Sequence, residues 1–424
     1  MKLIHIPRAV YFFFLGLERN FKIIRYGDVP EIYVRPIDLE RYSFASGRAF
    51  SYLAVLRELA MHLFKPSQKF YQLPGADVLF CGGSANNERE FHFLSSLLAG
   101  TVPGLEYSRD KNLAFVNSAG LRKRVGEQVV AVLLFLVCFV YLFRIKINPT
   151  SFKYLLSFSK IYLQVLCSVN RSGHLPKLTV VANDHTDFPV AADMVMKSFR
   201  VPVIYVQHAE ISEGFPPLDF DVSVLRNNKT LEKYQAIGQV KGEVFIIPRT
   251  GCASNVSRIL DVAVMGSINI VLYLSSVYDQ AAVQDCIDML SKNPGVKKVS
   301  IKRHPRTPAE VLKNTFDVEV LDHAPTEHHI AVVPNSSVAI ELLERGVRVF
   351  QYFALDNIHP DYYGLVADGV TPAVTYHELM TDFWCTEFYS KEWLERFYKY
   401  TVAADESWRQ QVPILSKRLQ GLLG

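Results

Sequence analysis

The stretch 331–350, AVVPNSSVAIELLERGVRVF, constrains the fold more than any other part of this 424-residue chain. An apolar run stops at Pro334-Asn335, two serines follow, and apolar residues then recur at helical spacing until Gly346. A second apolar run begins immediately afterwards. Strand, helix and strand within twenty residues leave room only for a parallel pair joined by a helical crossover. Gly346 is the residue type that ends a helix in the left-handed conformation, so the helix is expected over 337–345.

The same alternation runs through most of the chain. Short apolar runs at 76–81, 113–117, 178–183, 201–207, 222–226 and 243–247 read as strands, with helical patterns between them. After a turn-rich stretch over 248–257, with a boundary between two sets of strands near 248–265, further strands are expected at 269–275, 297–302, 318–321, 330–334 and 348–352, with a helix over 281–291. The reading is an α/β fold of two Rossmann-like domains whose strand ends face a central cleft. Domains are expected at 1–255 and 256–385, with 386–424 as helices packing back on the first. The first twenty residues, MKLIHIPRAVYFFFLGLERN, lack a small-residue cleavage site and read as a strand and helix rather than a signal peptide.

Composition removes several function classes. A net charge of +4 without a concentrated basic stripe argues against nucleic acid. Six cysteines with no C-x-x-C pair argue against a disulfide framework or a zinc site, and fit a reducing cytoplasm. The run 129–143 carries no charge over 15 residues and is flanked by Arg122, Lys123, Arg124, Arg144 and Lys146. It is short of the roughly 20 residues a spanning helix needs. A helix buried against a sheet and a helix lying at an anionic membrane surface both fit it.

Ligands of open α/β sheets bind at the carboxyl ends of the strands, and four polar clusters stand at such positions. Two follow strands of the first half: Asn183-Asp184-His185 and Gln207-His208-Ala209-Glu210. Two follow strands of the second: Lys302-Arg303-His304-Pro305-Arg306 and Ser336-Ser337. The serines open a helix, where free N–H groups and the positive dipole end favour phosphate, although ordinary N-caps have the same sequence. Glu341 lies about one turn further on, in reach of ribose hydroxyls. Lys302, Arg303 and His304 supply positive charge and donors at the other tip. Two such tips side by side would seat a nucleotide phosphate. In the first half His208, Glu213 and Asp184 are the candidate bases; the residues alone do not rank them firmly, and the reading leans to His208 or Glu213. No G-x-G-x-x-G follows a strand, no Walker loop, G-x-S-x-G or H-E-x-x-H occurs, and no D-x-D pair suggests a metal.

In order, VIYVQHAEISEGFPPL, LYLSSVYDQAAVQ, IKRHPR and VVPNSSVAIELLERGVRVFQY resemble the landmarks of GT-B glycosyltransferases that build bacterial surface polysaccharides. The nearest motifs are those of the sialyl-, polysialyl- and Kdo-transferases and the CDP-glycerol polymerases, over about residues 178–370. The resemblance implies that His304, Ser336 and Ser337 bind the donor's nucleotide phosphate, in CMP-sugar users that of CMP. His208 matches the histidine of the Gln-His-Gly turn, with Ala209 in place of the glycine. The acidic motif is present only in part, as Ser212-Glu213-Gly214. The family would make this a Leloir enzyme, metal-independent and inverting, without a cofactor beyond its nucleotide-sugar co-substrate. Its acceptor would be a glycan or lipid-linked glycan of capsule, lipopolysaccharide or O-antigen, met at the cytoplasmic face of the inner membrane. The alternatives are a CDP-glycerol or CDP-ribitol alditol-phosphate transferase, a UDP-sugar epimerase, and a non-catalytic scaffold of the same fold.

Overall fold

The computed structural model describes residues 6–25, 57, 76–82, 85–107, 149–212, 215–248, 253–260, 267–275, 278–305, 307–356, 358–401 and 407–424. The α/β class with two parallel sheets, expected from the sequence, is what the chain adopts. The first sheet has the order β1 (Val78–Cys81), β2 (Leu178–Val181), β3 (Val203–Val206), β4 (Asp219–Leu225) and β5 (Lys241–Ile246). Every neighbouring pair in it is parallel. Strands such as VLFC, LTVV and VIYV are buried at every residue, because helices cover both faces.

Alternation along each strand divides the core of this sheet in two. One face carries Phe80, Val180, Ile204 and Val222 against α2 (Ala85–Leu97) and the terminal helix α11 (Ser407–Leu423), through Phe91, Leu94, Leu415 and Leu419. The other carries Leu79, Val181, Val203 and Tyr205 against α1 (Ile6–Arg25), α3 (Pro149–Ser172) and α4 (Asp187–Ser198). Helix α11 is fixed further where the Gln411 side-chain oxygen accepts the Ile246 N–H at 2.8 Å. In α1, Gly16 permits close packing: a Cβ there would lie 2.6 Å from the Phe158 ring. The described part of the N-terminal stretch is one helix, so the strand expected ahead of it is confined to residues 1–5, outside the described residues. The 113–117 strand and the apolar run 129–143 also lie outside them. Among the described residues no helix is long and apolar enough to cross a membrane.

The second sheet has the order β10 (Val349–Gln351), β9 (Ile330–Val333), β6 (Ile268–Tyr273), β7 (Val296–Lys302) and β8 (Glu319–Leu321). The chain adds β7 and β8 on one side of β6, then returns to add β9 and β10 on the other. This is the doubly wound arrangement, and the strand order reverses between β6 and β9. Helix α9 (Val338–Glu344) leaves β9 and ends in a Schellman turn. There the Val347 N–H bonds the Leu342 carbonyl at 3.0 Å and the Gly346 N–H bonds that of Leu343 at 2.9 Å. Gly346 has φ +82°, and a Cβ on it would lie 2.4 Å from the Asn255 carbonyl oxygen. Glycine is required there both by conformation and by space.

The same topology corrects one expectation. The tips carrying His304 and Ser336-Ser337 are not side by side, because β6 pairs with both β7 and β9 and lies between them. At one strand spacing per step the two tips are about 10 Å apart. The sequence shows that both runs are strands but not which strand separates them.

Candidate functional site

Register sets the carboxyl edge of the first sheet. Val181 pairs with Tyr205, so Asp184 and His208 stand at the same level, each three residues beyond a paired position. Val206 pairs with Val224 and brings Arg226 level with His208. Asn183 shapes the turn after β2, its side-chain oxygen accepting the N–H groups of His185 at 3.0 Å and Thr186 at 2.8 Å. That turn holds His185 Nδ1 2.8 Å from Asp184 Oδ1. The other Asp184 oxygen accepts the Tyr234 hydroxyl at 2.6 Å, from helix α5 (Asn228–Ile237). Asp184 is 1% exposed and His185 5% exposed, so the pair is enclosed. Burial alone would raise the Asp184 carboxyl, but His185, Arg19 and the Tyr234 hydroxyl together hold it below the usual carboxylate range.

His208 sits beside this pair, its ring centroid 6.4 Å from that of His185. Burial pushes its imidazole down to about 3, with His185 and Arg226 acting in the same sense against Asp184. A base of such low proton affinity accepts a proton poorly at neutral pH. Asp184, with both oxygens engaged and no opening to solvent, is placed to orient an imidazole rather than to touch an acceptor. Glu213 lies outside the described residues. His185 is the group the sequence reading passed over: it stood in the Asn183-Asp184-His185 cluster without a role. The signal was the Asp-His dipeptide at a strand end, and only the turn geometry shows that the aspartate faces the imidazole.

In the second unit the register of β6, β7 and β9 sets the carboxyl edge in the same way. Tyr273 pairs with Lys302, and Leu272 with both Ile301 and Val332, so Ser275, His304 and Asn335 stand level on adjacent strands. Ser275 therefore occupies the switch point between the two expected tips. His304 is half-buried, and its carbonyl accepts the Thr307 N–H at 2.9 Å. Lys302 Nζ donates to the Arg303 carbonyl at 2.6 Å. Arg303 is committed to Asp322 and to the Thr307 carbonyl at 3.1 Å. Burial and Arg303 both depress the Lys302 ammonium. Arg306 lies outside the described residues.

Ser336 and Ser337 do begin α9, but the cap bond is made by Ser336, whose Oγ accepts the Val338 N–H at 3.3 Å. Ser337 makes no side-chain cap. Their loop is pinned from below by a group the sequence did not single out. Asp356 accepts the Asn335 backbone N–H at 3.2 Å and its side-chain amide at 3.1 Å. The Asn335 side-chain oxygen accepts the Tyr362 N–H at 2.9 Å. Burial raises the Asp356 carboxyl to about 7, against its hydrogen bonds.

The two units meet along α9. Glu341 is paired with Arg89 of α2 rather than standing open to a ligand (3.2 Å). Glu344 and Ile340 line a narrow crevice, with room for little more than a water molecule, together with Glu210, Arg226, Asn227 and Thr401. Tyr400, from α10 (Lys391–Thr401), points its hydroxyl at Glu210, 3.5 Å away. From α5, Lys229 pairs with Asp368 at 3.1 Å and Lys233 donates to the Tyr363 carbonyl at 2.6 Å.

Burial raises the Glu344 carboxyl to about 7 from an ordinary 4.5; Arg226 pulls it down, and Glu341 and Glu210 push it further up. The folded chain thus holds this proton more tightly than the unfolded chain does. The stability it contributes is complete below pH 4.5 and is lost as pH rises through 7. The melting temperature of Glu344→Gln is therefore expected to gain on that of the wild type between pH 5 and pH 8. A constant difference across that range would show that Glu344 does not titrate there.

Neither known protein families nor curated protein sequences contain a match to this chain. Solved structures similar to it include a putative UDP-N-acetylglucosamine 2-epimerase from Listeria monocytogenes, at 10% identity and TM-score 0.41, covering 63% of this chain and 79% of that one. They also include the glycotransferase of kitacinnamycin, at 12% identity and TM-score 0.39, covering 85% of this chain and 96% of that one.

Proposed function

We propose that this chain is a GT-B glycosyltransferase, moving a sugar from a nucleotide-activated donor, a CMP-sugar by preference, to a growing surface glycan. The observation that carries the reading is the enclosed Asp184–His185 pair at the carboxyl edge of one parallel sheet. It is coupled with a doubly wound second sheet that presents Ser275, His304, Asn335 and the Ser336-Ser337 turn at its own carboxyl edge. In this reading His185 takes the proton of the acceptor hydroxyl as that oxygen attacks the anomeric carbon. Asp184 stabilises the resulting imidazolium. The donor's phosphate departs toward His304, Lys302 and the N–H groups of the serine turn, which offset its charge without a divalent ion. Inversion at the anomeric carbon follows from a single displacement.

The acceptor in this reading is a lipid-linked glycan, and the protein works at the cytoplasmic surface of the inner membrane. The basic flanks of the 129–143 run support that placement, as do Val10, Tyr11 and Phe14, exposed on one side of α1. A second reading, a UDP-sugar epimerase, also fits, because an enclosed Asp–His pair can move a proton on the sugar itself and needs no acceptor.

Calorimetric titration with CMP, CDP, UDP and GDP, of the wild type and of His304→Ala, tests the reading. CMP or CDP binding that the substitution weakens by roughly tenfold or more, the cost of one hydrogen bond to a charged group, is the expected result. CDP alone would move the chemistry to alditol-phosphate transfer. Preference for UDP, with UDP released from a UDP-sugar in the absence of acceptor, would favour the epimerase. No binding of any nucleotide would sink the enzymatic reading and leave a glycan- or protein-binding scaffold.

A further inference from the structure

Glu341, the carboxylate placed to meet a nucleoside in the reading above, is already held. Arg89 reaches it from the first unit with both terminal nitrogens, Nη2 3.2 Å from Oε1 and Nη1 3.3 Å from Oε2. This is the forked geometry of a guanidinium–carboxylate pair. Arg89 continues through Nε to Glu90 at 3.4 Å, and Glu90 accepts from Arg226 at 2.8 Å. An alternating run of charge, Glu341–Arg89–Glu90–Arg226, thus ties the helix after β9 to the carboxyl edge of the first sheet. Its two ends differ. Glu90 is 1% exposed and Arg226 15%, whereas Arg89 is 42% exposed. Water screens the outer link, which makes it the one a ligand can break.

We propose that the Arg89–Glu341 pair is a latch: Arg89 occupies the carboxylate that a donor's nucleoside must reach, and nucleotide binding displaces it. The proposal rests on the functional reading above and adds its regulation. The guanidinium fork engages both Glu341 oxygens, so ribose hydroxyls approaching on that side compete with it for the same acceptor. Because Arg89 belongs to the first unit and Glu341 to the second, donor arrival also releases one tie between the units. The unit carrying His185 thereby responds to whether the donor is in place.

The test is calorimetry with CMP, CDP, UDP and GDP on the full chain as wild type, Arg89→Ala, Arg89→Lys and Glu341→Gln. Arg89→Ala is expected to bind the preferred nucleotide about two- to fivefold more tightly, the factor an exposed ion pair is worth. Arg89→Lys, which keeps the charge without the fork, should fall between it and the wild type. Glu341→Gln loses latch and ligand contact together and should bind more weakly than the wild type. Equal or weaker binding by folded Arg89→Ala would overturn the latch and leave the proposed function standing. Tighter binding by Glu341→Gln would overturn it too, since Glu341 would then not be a ligand group. Failure of all four proteins to bind any of the nucleotides would overturn both the latch and the functional reading.

Discussion

His185→Ala is expected to slow sugar transfer by roughly 10²- to 10⁴-fold, the usual contribution of a positioned general base. Nucleotide affinity should not change, because the groups proposed to bind the donor belong to the other unit. The physical basis is the geometry of the pair: Asp184 Oδ1 lies 2.8 Å from His185 Nδ1, and the second oxygen is fixed by Tyr234. A carboxylate so held keeps the proton on Nδ1 and leaves the other ring nitrogen as the acceptor. Asp184→Asn should therefore lose activity on the same scale, since an amide can turn its NH2 group toward the imidazole and cannot stabilise an imidazolium. Single-turnover rates at saturating donor separate this loss from binding. A His185→Ala rate within twofold of the wild type would move the base to Glu213 or His208.

Arg226→Ala is expected to cost about 3–5 kcal/mol of stability, the range for removing one partner of a buried pair. Its guanidinium donates to Glu90, to the Gln207 carbonyl at 3.1 Å and to the His208 carbonyl at 2.7 Å. Glu90, at 1% exposure, would be left as a buried carboxylate without its 2.8 Å guanidinium partner. Burial already pushes the Arg226 guanidinium down to about 10, against the pull of Glu341, Glu210 and Glu344, so the site depends on its charge being matched. Two carbonyls of the turn that carries His208 would lose their donor as well. Urea unfolding read by circular dichroism measures the effect. A loss under 1 kcal/mol would mean that water replaces the guanidinium and that the turn holds itself.

Much of the architecture is legible along the chain. Runs such as IAVV and VIYV are apolar at consecutive positions because parallel strands between two helical layers have no polar face. Polar residues reappear only where each strand emerges, so the clusters at Asp184, His208, His304 and Ser336 stand out in the sequence. The helix of 337–345 was legible for a local reason too: a glycine at φ +82° stops it.

Other features were not legible, because they arise between segments far apart in the chain. Arg89 is an unremarkable residue in a polar helix until α9, some 250 positions later, brings Glu341 against it. Tyr234 reads as one apolar position of α5, yet its hydroxyl completes the Asp184 site. Asp356 follows the last strand with no motif around it and still pins the serine turn through Asn335. Even the order of the strands was hidden, since the sequence shows β7 and β9 but not that β6 lies between them. Hydrophobic periodicity is a local property, and the sequence by itself determined the elements, their burial and the strand ends where chemistry can sit. Pairing of charge and hydrogen bonds depends on distances of a few ångströms across the fold. Only the tertiary structure decided which imidazole meets a carboxylate, and which carboxylate is already taken.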